Sequence, residues 1–341
     1  MARLVAAFGS SHSPALNSPA EDIPGHARRD EQYQKHLDRE GRLVSYQELL
    51  HSAPAGVEDE ISTQRIERRV AACERHIDRL ARAIAEARLD ALLIVGDDQK
   101  EQYLDDNLPA FLVYGGETIL NGVMDLPPGA PDYWKRARSQ YFEPDVPRDY
   151  PVAADLALHI TKELVEREFD IAYGASLPRP RGEGHAFGFV HRRLLAGHIV
   201  PVVPIVVNTY YAPNQPRPAR CFRLGQALRS SIDSFPGNER VGILASGGLS
   251  HFTVDEALDR AVLKACGEGD GAALGAIPIG KLNSGSSEIR NWIVAAGAAE
   301  ELRTEWQAYE PLYRTPAGTG CGMAFAVWGT DPQGSVPPFQ G

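Results

Sequence analysis

Three apolar runs in this chain end in the same way, and that shared ending constrains the fold more than any other feature. Leu4-Val-Ala-Ala-Phe8 stops at Gly9-Ser-Ser-His12. Ala91-Leu-Leu-Ile-Val95 stops at Gly96-Asp-Asp-Gln99, and Val241-Gly-Ile-Leu-Ala245 stops at Ser246-Gly-Gly-Leu-Ser-His251. Each run is short and continuous enough for a buried strand, and each leads through small residues to a chemically capable side chain. In open α/β sheets, ligands bind outside the carboxyl ends of the strands. Two histidines and an acid–amide cluster brought to one sheet edge predict an active site assembled from distant parts of the chain.

The stretches between these runs read largely as helices. Glu58–Arg88 places Ile61, Ile66, Val70, Cys73, Ile77, Leu80 and Ile84 near a 3.6-residue spacing and leads directly into the second run. Val152–Arg167, Gly225–Ser234 and Val254–Cys266 also read as helices, as does Glu288–Glu300 after the capping cluster Ser284-Gly-Ser-Ser287. Further strands are expected after Pro109, at Phe169–Ala175, at Ile199–Tyr211 and at Met323–Trp328. Residues 126–151, rich in proline and aromatic side chains, read as loop. Residues 17–57 carry Pro19, Pro24 and Pro54 and lack sustained periodicity, apart from a helical stretch near Asp30–Arg39. They read as a surface excursion. Strands alternating with helices predict a three-layer α/β/α fold with a central mixed sheet, and 341 residues suit a single large domain.

Composition excludes several functions. A net charge of −10 with no lysine or arginine block argues against a nucleic-acid partner. The longest apolar stretches, such as Ile199–Val207, are too short to span a bilayer. The amino terminus, Met-Ala-Arg and then a short strand-like run, has neither the apolar core nor the cleavage site of a signal peptide, so a cytoplasmic location is expected. Cys73, Cys221, Cys266 and Cys321 form no CxxC pair and read as buried thiols of a reducing compartment.

Among the histidines, His12, His185 and His251 stand out because glycines or serines surround them and let backbone crowd a site. His191 and His198 flank an arginine-rich turn and read as surface residues. His26, His36, His51, His76 and His159 lie in polar or helical contexts without such signals. Asp97 and Asp98 also suit cap positions, and Glu288 also suits a helix N-terminus. The chain has no GxGxxG after a strand, no Walker A segment, no GxSxG elbow and no HExxH. A metal site of imidazole and carboxylates needs no fixed local spacing, so those absences leave it open.

Taken together, the segments resemble the class III extradiol ring-cleavage dioxygenases. Ser11-His12-Ser-Pro14 is similar to that family's amino-terminal metal-histidine motif, and Gly184-His185-Ala-Phe-Gly188 to the segment supplying an active-site histidine. Ser246-Gly-Gly-Leu-Ser-His251 resembles the segment of the acid–base histidine. Ser284-Gly-Ser-Ser-Glu288-Ile-Arg-Asn-Trp292 resembles the motif whose glutamate binds iron. Val203-Pro-Ile-Val-Val-Asn208 and Arg220-Cys-Phe-Arg-Leu-Gly225 resemble segments near the substrate. The likeness covers most of the chain in order, with residues 17–60 as an apparent insertion.

The resemblance implies a non-haem metal, Fe(II) foremost with Mn or Zn as alternatives, and a catechol- or gallate-type substrate cleaved with O2. His12 and Glu288 would be metal ligands, and His185 and His251 the catalytic histidines. One departure stands out. Where the family carries Asp-His before Asp-x-x-Pro-x-Phe, this chain has Asp98-Gln99 and then Asp106-Asn-Leu-Pro109-Ala-Phe111. That leaves three arrangements: ligation through the Gln99 oxygen, ligation by Asp97, Asp98 or Glu101 instead, or a site that binds metal poorly. A metal-dependent hydrolase or lyase using His185 and His251 without O2, and a metal-free binding homologue, are the rival functions. Tyr210, Tyr211 and Asn214 are candidates for the substrate pocket, and Arg179, Arg181 and Arg290 for a substrate carboxylate. A homo-oligomer is expected, with an ancillary small subunit left open.

Overall fold

The computed structural model describes residues 1–329, and its core is a nine-stranded mixed sheet with helices on both faces. Numbered along the chain, the strands of this sheet are β1 (Arg3–Ser10), β2 (Ala91–Gly96), β3 (Phe111–Tyr114), β4 (Ala172–Gly174), β5 (Val202–Val207), β6 (Arg240–Ser246), β7 (His251–Thr253), β8 (Arg303–Tyr313) and β9 (Thr319–Gly329). Their order is β7-β9-β1-β6-β2-β5-β3-β4, with β8 also on β9. The four central strands β1, β6, β2 and β5 run parallel. Antiparallel β9 closes one side and antiparallel β3 the other.

The three runs with similar endings are the adjacent strands β1, β6 and β2. Ser10 registers with Ser246, and Ala245 with Val95, so all three polar tips leave the same edge of the sheet. Alternation along each strand assigns the faces. Leu93, Val95, Ile243 and Ala245 pack into a core under the helices Pro218–Ser234 and Ile289–Ala298. Leu92, Ile94 and Leu244 pack into the opposite core, which buries Cys73, Ile77, Leu80 and Ile84 of the helix Thr63–Glu86. Close approach at the site end needs glycine. A Cβ on Gly9 would lie 2.4 Å from the Trp292 ring, whose Nε1 donates to Gly247 O at 2.7 Å.

Several local expectations are corrected. Residues 126–151 contain the helix Asp132–Ser139 and the strand Arg148–Pro151, which pairs with Thr118–Asn121. The last strand pairs with β8, which the sequence reading passed over. The helix expected near Asp30–Arg39 lies earlier, at Ile23–Gln32. Residues 17–57 run over the surface but are anchored to the fold at several points. Ile23, His26, Asp30 and Leu49 are buried, and the Thr253 hydroxyl donates to Leu37 O at 2.7 Å. Arg136 donates to Asp22 at 2.7 Å, pinning the segment from its other side. Among the described residues, no helix is long and apolar enough to cross a membrane.

Candidate metal centre and active site

His12, Asp97 and Glu288 meet where β1 and β2 end and where the short turn Ser284–Glu288 enters the helix Ile289–Ala298. One ligand atom from each lies within 4.8 Å of the others, and all three residues are buried. His12 Nε2 is 3.2 Å from Glu288 Oε2 and 3.9 Å from Asp97 Oδ1. The tautomer of His12 follows from its neighbours. Ser246 Oγ donates to Ala186 O at 2.6 Å, so it accepts at 2.9 Å from His12 Nδ1–H. Nε2 then carries the lone pair. It is buried, has no hydrogen-bond partner among the described residues, and faces two carboxylates.

A lone pair opposite two buried acids is repulsive unless a proton or a metal ion lies between them, and fixing the other nitrogen is how an imidazole is prepared as a metal ligand. The carboxylates show the same tension. Burial, with Glu288 adding to it, pushes Asp97 up to about 8. Against its own burial, His251 holds Glu288 well below the usual carboxylate range. The residues present therefore fit a divalent ion with one nitrogen and two oxygen ligands.

Gln99 stands beside this cluster as a donor. Its amide nitrogen donates to Glu288 Oε1 at 3.1 Å and to Asp97 Oδ2 at 3.4 Å. Asn291 Nδ2 adds donation to Asp97 Oδ1 at 3.3 Å and to Ser246 O at 2.9 Å. The substitutes Asp98 and Glu101 point elsewhere. Asp98 accepts from the backbone N–H groups of Glu101, Gln102 and Tyr103, and Glu101 Oε2 accepts from His185 at Nδ1 (2.7 Å) and at its backbone N–H (3.0 Å). Asp97, one position earlier, reaches the cluster.

The two further histidines flank the ligands. The ring of His185 lies 4.7 Å from that of His12, edge to face. Burial opposes ionisation of Glu101, yet His185 and Arg138 hold its carboxyl down to about 2. His251 donates from Nδ1 to Leu249 O at 2.9 Å, and its Nε2 lies 3.4 Å from Glu288 Oε1. The paired glycines after β6 matter here, since Gly248 N–H donates to Glu288 Oε2 at 2.7 Å. A Cβ on Gly285 would fall 1.8 Å from His251 Cδ2. Gly285→Ala is therefore expected to displace the imidazole and lower kcat toward about 10²-fold while bound metal is retained. Turnover and metal analysis of the same preparation check this.

These residues open on one cavity of about 400 Å³. His12, Gln99, His185, Tyr210, His251 and Glu288 all line it. Tyr211 and Asn214 do not. Tyr211 lies under the Lys100 ammonium, and the Asn214 amide donates to Leu108 O at 2.7 Å. The three arginines expected to meet a substrate carboxylate are also absent from the lining. Arg179 pairs with Asp106, and Arg290 is buried among the carbonyls of Pro216, Thr209, Leu282 and Ser287. Conversely, His26 and His36 are buried and line the cavity wall. His191, expected at the surface, is buried with Nδ1 2.7 Å from Glu183 and its ring stacked 4.0 Å from Tyr150.

Residues 48–323 match the family described as the catalytic LigB subunit of aromatic ring-opening dioxygenase. The chain belongs to this family. The LigB match covers Asp97, Gln99, His185, His251 and Glu288 and leaves His12 and the Ile23–Gln32 helix outside it. Among curated proteins, the chain is 26% identical over 208 residues to the 2,3-dihydroxyphenylpropionate/2,3-dihydroxicinnamic acid 1,2-dioxygenase of Comamonas testosteroni, covering 61% of this chain and 54% of that one. It is 37% identical over 110 residues to a gallate dioxygenase of Pseudomonas putida, covering 31% of each. The chain thus spans about half of the first relative and under a third of the second.

Proposed function

We propose that this protein cleaves the ring of a catechol- or gallate-type aromatic diol with O2 at a divalent metal, Fe(II) foremost, held by His12, Asp97 and Glu288. The observation that carries the reading is the buried His12 Nε2, its lone pair facing two carboxylates between His185 and His251. Membership of a ring-opening dioxygenase family supports it, and the two relatives are named for a dihydroxyphenylpropionate and for gallate. Bound there, the ion would supply Lewis acidity at the substrate oxygens and an open position for dioxygen.

The chain's own residues handle protons and position. Because His251 Nδ1–H is committed to Leu249 O, Nε2 is the nitrogen that takes a proton from a substrate hydroxyl and returns it to the ring-opened product. Against its burial, Cys321 and Glu288 hold the His251 imidazolium well above the usual histidine range, which keeps a proton on Nε2 for that return step. Glu101 fixes His185 at Nδ1 and leaves Nε2 for a substrate oxygen. Tyr210 forms part of the wall beside them.

The test is oxygen consumption by protein loaded anaerobically with Fe(II). One O2 per diol and a yellow ring-opened product are expected from at least one member of a catechol and gallate panel. No uptake across the panel by metal-replete protein would refute the reading. Two carboxylates and a single imidazole also make an oxygen-rich donor set that suits Mn or Zn, which favours the oxygen-independent hydrolase or lyase as the second reading. Turnover under argon would select it.

A further inference from the structure

Away from the three proposed ligands, the same cavity changes character. Its outer wall comes from the helix Ile23–Gln32, the turn that follows it as far as Gly41, and Arg314 at the end of β8. Arg29, Lys35, Arg39 and Arg314 line this part, together with Asp30 and Asp38. Both acids are already engaged. Asp38 pairs with Arg42 at 2.7 Å, and Asp30 accepts from Arg314 Nε at 2.8 Å and from the Thr319 hydroxyl at 2.7 Å. Elsewhere around the cavity the charges cancel in pairs, Lys281 with Asp255 at 2.8 Å and Arg138 with Glu101 at 3.4 Å.

Positive charge is left over. Arg39 Nη2 and Arg314 Nη2 are buried and have no protein hydrogen-bond partner among the described residues. Both arginines meet the β8–β9 turn: Arg314 opens it, and a Cβ on Gly318 within it would lie 2.7 Å from Arg39 Nη2. Arg314 as a whole is only 8% exposed. Arg29, at the mouth, stacks 4.3 Å from the Trp134 ring, which also lines the cavity. In a chain of net charge −10, such a wall is not a by-product of composition. Buried guanidinium donors call for an anionic acceptor, and a planar carboxylate matches their geometry.

We propose that this wall binds a carboxylate substituent of the aromatic diol, with Arg39 and Arg314 as the buried donors and Arg29 over Trp134 at the entrance. The segment before residue 48, outside the family match, then sets substrate selectivity. The proposal rests on the ring-cleavage reading, since it assigns the diol end of the same molecule to the metal. The cavity volume falls within the roughly 300–1,000 Å³ of sites that enclose drug-sized ligands, so it has room for a ring and a charged arm.

Calorimetric titration with phenols that cannot be cleaved separates this idea from the reaction. The probes are 3-(3-hydroxyphenyl)propionate and 3-hydroxybenzoate, each against its methyl ester, with sodium acetate as a third arm. At least one acid is expected to bind about tenfold or more tightly than its ester, as charged hydrogen bonds imply. Arg29→Gln and Arg39→Gln should shrink that ratio while leaving ester affinity unchanged. Arg314→Lys, which keeps the charge facing Asp30, should shrink it too. Equal binding of acid and ester, or an unchanged ratio in all three variants, would overturn the proposal. Acetate binding as tightly as the aromatic acids would make the wall a free-anion site and overturn it as well. An acid preference in protein that never consumes O2 would instead retain the wall and refute ring cleavage.

Discussion

Replacing His251 by alanine is expected to lower kcat by about 10²–10⁴-fold, the range of a positioned general acid–base, while metal content stays stoichiometric. The expectation follows from geometry. His251 is buried, fixed at Nδ1 by Leu249 O, and held by Ser286, whose Oγ accepts from its backbone N–H at 2.9 Å and donates to its carbonyl at 3.1 Å. The imidazole has one nitrogen left, 3.4 Å from a carboxylate oxygen of Glu288. Alanine removes the imidazole assigned to take and return the substrate's proton, and leaves His12 and Asp97 untouched. If turnover persisted within tenfold of wild type, another group would be the acid–base.

The second large effect concerns metal. His12→Ala and Asp97→Asn are each expected to abolish stoichiometric binding of Fe(II) or Mn(II), read by elemental analysis and calorimetry rather than by activity. Ser246→Ala should weaken binding by roughly 10–100-fold, the usual cost of losing a group that orients a ligating imidazole. Its hydroxyl is what assigns Nδ1–H and frees Nε2. Gln99→Leu distinguishes donor from ligand. As a donor to Asp97 and Glu288, Gln99 should contribute no more than Ser246 does. A complete loss of metal in Gln99→Leu, with binding retained in Asp97→Asn, would make the amide the third ligand.

The sheet edge was legible because strand burial writes itself as continuous apolar runs. β1, β2 and β6 are buried throughout or nearly so, and their polar tips follow at once. The site was less legible where neighbours in sequence diverge in space. Asp97 and Asp98 look alike as letters, yet one joins the candidate metal-binding cluster and the other caps three backbone N–H groups. Periodicity past the end of a strand no longer reports direction. The polar segment 17–57 looked superficial because its burial is long-range: Asp30 is covered by Arg314 and Thr319, nearly the whole chain away. The burial of His191 is hidden for the same reason, since only the fold brings Tyr150 onto its ring. β8 carries a weak alternation, with Trp306 and Ala308 packed toward one core among polar residues, and its pairing with β9 decides it.

The central claim is that dioxygen enters the product, and turnover under ¹⁸O2 by Fe(II)-loaded protein tests that most directly. The account predicts a ring-opened product carrying both atoms of one O2 molecule, formed only when oxygen is present. A product formed under argon, or one that carries no ¹⁸O, would contradict it.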